Sequence, residues 1–173
     1  MVRTAKAHIA GVFEHPTRKA VDKTVPQLHA ELAAGVLADA GLQKEDVDGF
    51  FCDGTVPGLG GISMAEYIGL DLRYTDCTET GGSSYTVHVG HAAQAIADGK
   101  CNVALISLAG RPRAEGLKTL GARVYGGPPE VAFEMPYGPT VVNTYAMVAM
   151  RHMHEFGTTP EQLAWIKVAA SHH

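Results

Sequence analysis

Residues 75–109, TDCTETGGSSYTVHVGHAAQAIADGKCNVALISLA, constrain the fold of this chain more than any other stretch. A short polar strand, Thr75 to Glu79, runs into a Gly-Gly-Ser-Ser turn. An alanine-rich helix follows from Ser83 to Asp98 and stops at Gly99, and a buried strand then runs from Val103 to Leu108. Strand, helix and strand in this order point to an α/β fold. The small residues Gly90, Ala92, Ala93, Ala95 and Ala97 let such a helix approach its neighbours closely, so burial between sheets is expected.

The flanking segments extend the pattern. Ala7 to Phe13 reads as a first strand, broken by His15-Pro16. Thr24-Val25-Pro26-Gln27 is a capping box that opens a helix with Leu28, Leu32, Val36 and Leu37 apolar, running to about Ala40 before Gly41. Asp48 to Cys52 reads as a second strand, Gly54 to Gly61 as a glycine-rich loop and Ser63 to Ile68 as a short helix. No Gly-Lys-Ser/Thr follows that loop, so it is not a phosphate loop. From Gly110 to Pro139 no period lasts, which predicts a long loop. Val141 to Phe156 then reads as a helix with Val142, Tyr145, Ala149 and Phe156 on one face, ended by Gly157. Thr159-Pro160-Glu161-Gln162 is a second capping box, opening a last helix that runs to His173.

Composition narrows the function. With 46% apolar and 18% charged residues in 173, the chain has the make-up of a folded domain. A net charge of −4 argues against a nucleic-acid surface. No apolar run approaches the roughly 20 residues of a membrane span. The N-terminus lacks the apolar core of a secretory signal. Cys52, Cys77 and Cys101 show no CxxC spacing, which fits reduced thiols in the cytoplasm.

The segment from Thr75 onward resembles the nucleophile region of the thiolase superfamily, in which a Cys-small-Ser-Gly turn caps a glycine- and alanine-rich helix. Anchored on Ile96-Ala97-Asp98-Gly99 without gaps, the nucleophile position falls on Gly82, and the turn reads Gly82-Ser83-Ser84-Tyr85. The likeness is to the sterol-carrier-protein-type thiolases and the thiolase-like steroid side-chain aldolases, whose nucleophilic cysteine is absent. It implies half of a five-layered αβαβα fold. Residues 1–110 would form the amino-terminal thiolase-like half, 111–140 the start of a loop over the active site, and 141–173 helices leading to a second half. The closing Ser171-His172-His173 resembles the superfamily's continuation into that half, or a tag stub. The chain reads as an amino-terminal portion, expected to turn over no acyl-CoA alone.

Glycine at the nucleophile position keeps the backbone donors of a helix N-terminus but offers no atom to attack a thioester. Ser83 and Ser84 are candidate replacements, although each would need a base; helix capping is the simpler role. Cys77 is the nearest thiol, and packing is its simpler role. Asp76 and Glu79, three apart on a strand, are expected on opposite faces. His88 and His91 share a helix face but lack a third metal ligand; His152 and His154 do not share one, and no metal is expected. Met147, Met150 and Met153 read as packing residues. Arg111 and Arg113, with Lys118 and Arg123, form a basic run suited to the phosphates of coenzyme A, the substrate's carrier; no separate cofactor is expected.

The resemblance also implies a homodimer built on Thr75, Asp76, Cys77, Thr78 and Glu79, this strand pairing antiparallel with its symmetry mate, and a small zinc-ribbon/OB-fold partner protein. Three functions stay open. The first is retro-aldol cleavage of an acyl-CoA, which needs a base for the β-hydroxyl and donors for the enolate oxygen but no acyl-enzyme. The others are an acetyl-CoA acyltransferase and a non-catalytic acyl-CoA or lipid-binding subunit.

Overall fold

Helix α1, Val25–Ala40, starts on the capping box that the sequence predicts. The Thr24 hydroxyl accepts the Gln27 N–H, and the Gln27 side chain accepts the Thr24 N–H at 2.7 Å. It ends at Gly41, whose φ of 68° is the left-handed conformation that glycine adopts without a Cβ penalty. The computed structural model describes residues 7–54, 56, 58–115, 133, 137 and 141–172. The chain divides into two compact units, Met1–Gly116 and Leu117–His173.

In the first unit a short 3-10 turn, Lys44–Asp46, leads from α1 to strand β1, Gly49–Phe51. Helix α2 spans Gly61–Ile68, β2 Tyr74–Asp76, α3 Ser84–Ala97 and β3 Ala104–Ile106. The sheet order is β2-β1-β3, with both pairings parallel; Phe51 stands opposite Asp76 on one side and Ile106 on the other. All three β1 residues are buried, as a central parallel strand covered on both faces requires. Alternation along the strand sends Phe50 and Phe51 to opposite faces. Phe50 joins Ala33, Met64 and Leu105 in one core, and Phe51 joins Ala92, Ala95 and Cys101 in the other. The protein is therefore mixed α/β. The second unit contains α4, Val141–Phe156, and α5, Pro160–His172; the Thr159–Gln162 capping box opens α5 as expected.

Several expectations are corrected. Ala7 to Phe13 forms no strand. It runs against α1, where a Cβ on Gly11 would lie 2.8 Å from the Val36 carbonyl oxygen, and the Val12 N–H goes to Asp39 Oδ2 at 2.9 Å. With its amide taken by a side chain and the segment lying on a helix, no ladder forms. Strands are shorter than read: Thr75 to Glu79 contracts to Tyr74–Asp76 because Thr78 turns its N–H back to Asp76 Oδ1 at 2.8 Å. Helix α2 begins two residues early, at Gly61, where a Cβ would meet Cys77 Sγ at 2.7 Å. Helix α3 is covered on one face only: Ser84, His88, Ala92 and Ala95 are buried, while a Cβ on Gly90 would meet open space. Burial between two sheets needs a second sheet, and the described residues form a single one, β2-β1-β3. Met147 and Met150 are exposed, not packed, because no residue of α4 is buried.

Candidate active site

The carboxyl ends of β1 and β2 meet the first turn of α3, the place where open parallel sheets bind ligands. Gly81, at φ +70°, makes a bend that side-chain-bearing residues rarely adopt. Around it the polar groups are wired tightly. Glu79 Oε1 accepts the Gly81 N–H at 2.7 Å. The fully buried Ser84 hydroxyl accepts the Thr80 N–H at 2.9 Å and donates to the Gly81 carbonyl oxygen at 2.7 Å, with Glu79 Oε1 3.3 Å away. The exposed Ser83 hydroxyl donates to the Thr80 carbonyl oxygen at 3.1 Å.

Neither serine caps the helix, contrary to the simpler reading. Both hydroxyls face backward onto residues 79–81, because the left-handed bend brings those backbone groups nearer than the amides ahead. The backbone of Gly82 forms an isolated bridge with Thr80, and among the described residues no side chain takes the N–H groups of Gly82 or Ser83. Gly82 is exposed, and a Cβ there would have no neighbour within 4 Å. The turn thus presents the positive end of a helix with glycine at the position that the resemblance assigns to the nucleophile.

Cys77 lies away from these donors. It is half-buried under α2, accepting the Gly61 N–H at 3.1 Å. Cys52 is its neighbour; burial, and then the adjacent Cys77, push the Cys52 thiol up to about 12. Asp76 and Glu79 do not oppose each other across a strand, since β2 has ended; both turn toward α3. Asp76 holds Thr78 and pairs with the exposed His91 Nδ1 at 2.6 Å. His88 is buried, its Nε2 2.9 Å from the Thr78 carbonyl oxygen and its Nδ1 unpartnered. The two histidines therefore take different surroundings despite their spacing. Among the described residues no three His, Cys, Asp or Glu side chains are arranged to hold a metal ion. No described helix is long and apolar enough to cross a membrane.

Two pairs went unnoticed in the sequence. Tyr85, in the turn's fourth position, donates its hydroxyl to Asp53 Oδ2. Asp53 follows directly on the buried Phe50-Phe51-Cys52 run, which is the signal that placed it at the end of a central strand. Burial first, and then the hydrogen bond to Asp53, raise the Tyr85 phenol and keep it protonated. His29, within the apolar face of α1, has its Nδ1 2.8 Å from Ser107 Oγ; burial lowers it and keeps the ring neutral.

A groove of about 920 Å³ runs along α3 past Ile96, Ala93 and Val89 to Tyr85, walled by α1, β3 and the segment after His8. Arg111 and Arg113 border it. Arg111 is engaged by the Lys23 carbonyl oxygen and by Glu115, whereas Arg113 is exposed. Lys118 and Arg123 lie outside the described residues, as does most of the 111–140 loop.

No protein-family profile matches the chain. Among curated proteins it is 30% identical to a steroid side-chain-cleaving aldolase of Thermomonospora curvata, over 96% of this chain and 44% of that protein. It is 29% identical to the 17-hydroxy-3-oxo-4-pregnene-20-carboxyl-CoA lyase of Mycobacterium tuberculosis, over 98% and 46%. It is 27% identical to an acetyl-CoA acetyltransferase of Methanothermobacter thermautotrophicus, over 92% and 43%. The chain therefore spans less than half the length of these relatives. Among solved structures it resembles a chain of an Ltp2-ChsH2(DUF35) aldolase, with a TM-score of 0.67 and 28% identity over 80% of this chain and 35% of that one.

Proposed function

We propose that this chain is the amino-terminal half of a thiolase-like enzyme that cleaves a carbon–carbon bond of a β-hydroxyacyl-CoA by a retro-aldol reaction. The observation that carries the reading is the start of α3, where the backbone donors of a helix N-terminus lie beside Gly82, which has open space at its Cβ and no atom to attack a thioester. Such donors suit the oxygen of a thioester enolate, the charge that develops when the bond between Cα and Cβ breaks. Similarity to proteins named aldolase and lyase supports the same chemistry. A steroid side chain is the proposed acyl group, with coenzyme A as its carrier and Arg113 at the groove rim as a contact for CoA phosphate.

The proposed assembly is a cytoplasmic homodimer formed through the outer edge of β2, with a small zinc-ribbon/OB-fold subunit as further partner; a two-component neighbour supports a partner. The test is to supply the complete protein, with that partner, with 17-hydroxy-3-oxo-4-pregnene-20-carboxyl-CoA. Release of a 17-ketosteroid and a shortened acyl-CoA, seen by mass spectrometry, is the expected result. A second reading, acetyl transfer, is favoured by the acetyltransferase relative. A covalent acyl-enzyme formed from acetyl-CoA, with no ketone release, would establish it instead.

A further inference from the structure

We propose that Tyr85 and Asp53 form the proton acceptor for the substrate's β-hydroxyl, a relay contained wholly in this half of the protein; the proposal rests on the retro-aldol reading. Tyr85 is the second residue of α3 and lies three residues after Gly82, which precedes the helix cap at Ser83. It is the groove-lining residue of α3 nearest the turn, at the end of the row formed by Val89, Ala93 and Ile96. Its hydroxyl donates to Asp53, on the loop after β1. That loop is seated against the turn: a Cβ on Gly54 would lie 3.8 Å from the Cys77 carbonyl oxygen and 4.0 Å from Glu79 Cβ. The ring is fixed edge-on to His88, with centroids 5.6 Å apart, and His88 in turn packs on Phe51.

With its own proton given to Asp53, the phenolic oxygen of Tyr85 has lone pairs left to accept from a substrate hydroxyl. As the β-hydroxyl O–H breaks, its proton moves to the Tyr85 oxygen, and the Tyr85 proton moves to Asp53 Oδ2. The alkoxide collapses to a carbonyl, the bond between Cα and Cβ breaks, and the electron pair enters the thioester as an enolate held by the Gly82 and Ser83 amides. The proton then returns from Asp53 through Tyr85 to the enolate carbon, which gives the shortened acyl-CoA and restores the starting charge of the site. No oxidant or reductant enters the balance.

Tyr85→Phe, Asp53→Asn and Asp53→Glu would be compared with the wild type in the complete protein, using 17-hydroxy-3-oxo-4-pregnene-20-carboxyl-CoA as probe. The first two are expected to lower kcat by at least about 100-fold with KM within about threefold, the range for a lost general base. The double variant should be no slower than either single one, and Asp53→Glu should recover part of the rate. In the wild type kcat should fall on the acid side as Asp53 takes up a proton, and that limb should vanish in the residual activity of Asp53→Asn. The groups around Asp53 and Tyr85 that share this field are His29 from α1, Cys52 just after β1, Glu79 from the loop after β2 and His88 from α3. Wild-type kcat in Tyr85→Phe, or kcat and KM failing together with an unchanged acid limb, would overturn the relay while leaving the retro-aldol reading intact. A wild type that forms an acyl-enzyme and releases no ketone overturns both.

Discussion

Helices α1 and α3 both begin with a hydroxyl residue ahead of an apolar run, yet the hydroxyls point in opposite directions. At α1, Thr24 and Gln27 exchange side-chain and backbone hydrogen bonds and close the first turn on itself. At α3, Ser83 and Ser84 bond backward to Thr80 and Gly81, so the turn is fastened to the loop behind it and no side chain closes its first turn. The first arrangement spends its polar groups on stability. The second fixes a backbone shape and leaves donors for something outside the chain.

The contrast is broken most severely at Glu79. Its carboxylate holds the Gly81 N–H and approaches the buried Ser84 hydroxyl, so Glu79→Ala releases the bend that aims the Gly82 and Ser83 amides. In the complete protein, ketone release should fall on the order of 100- to 1,000-fold, the loss associated with an oxyanion donor. The same change at the α1 start has no counterpart in catalysis. Next in size is Gly82→Cys. The added Cβ meets open space within this chain, so melting temperature should hold. A side chain at the reacting centre should nonetheless cost about 100-fold in cleavage, as a misplacement of about 1 Å does. Slow acylation, visible as a covalent adduct by mass spectrometry, is expected in exchange. Cleavage at the wild-type rate would mean that Gly82 is not beside the substrate.

How much of this was legible beforehand follows from the range of each interaction. The capping boxes at Thr24 and Thr159 and the glycine stops at Gly41, Gly99 and Gly157 are local signals, and α1 and α4 have the boundaries those signals predict. Strands β1 and β3 are legible as apolar runs and β2 as a short polar one, and all three are shorter than read, because strand length depends on partners distant in sequence. Ala7 to Phe13 has a strand's composition and lies on α1 instead, an outcome decided by Gly11 and Gly35 facing that contact. At the site, Gly82 and the serines were visible as a turn. Their direction was not, since it depends on the left-handed bend at Gly81. The Tyr85–Asp53 bond joins positions 32 apart, beyond any local pattern.

Smaller effects sharpen the comparison from the stability side. Thr24→Ala removes a satisfied cap and should cost about 1 kcal/mol, read as a lower melting temperature with kcat unchanged. Asp76 offers a pH-dependent version beside the other helix. Burial raises its carboxyl, but the Thr78 hydroxyl, His91 and the Thr78 N–H together bring it below the usual value. A carboxyl depressed in the folded state adds stability above its unfolded pKa of about 3.9, and that stability is lost as pH falls through the folded value. Asp76→Asn should therefore melt below the wild type at pH 6, and the gap should narrow at pH 3. A gap that widened in acid would reverse the assigned sign.

The smallest expected effect falls on Ser83. Its hydroxyl is exposed and bonds only to loop groups, donating to the Thr80 carbonyl oxygen at 3.1 Å with the Thr80 hydroxyl 3.4 Å away. A hydrogen bond at an exposed site is replaced by water at little cost, so Ser83→Ala should change stability by less than about 0.5 kcal/mol. A true N-cap at this position would cost about 1 kcal/mol, as at Thr24. The same variant also separates the two chemistries, because the Ser83 amide survives the substitution while its hydroxyl does not. Ketone release within about twofold of wild type assigns the position to its backbone. A loss of 100-fold or more would return Ser83 to candidacy as a nucleophile, and the backward-facing hydroxyl would then have to turn toward the substrate during the reaction.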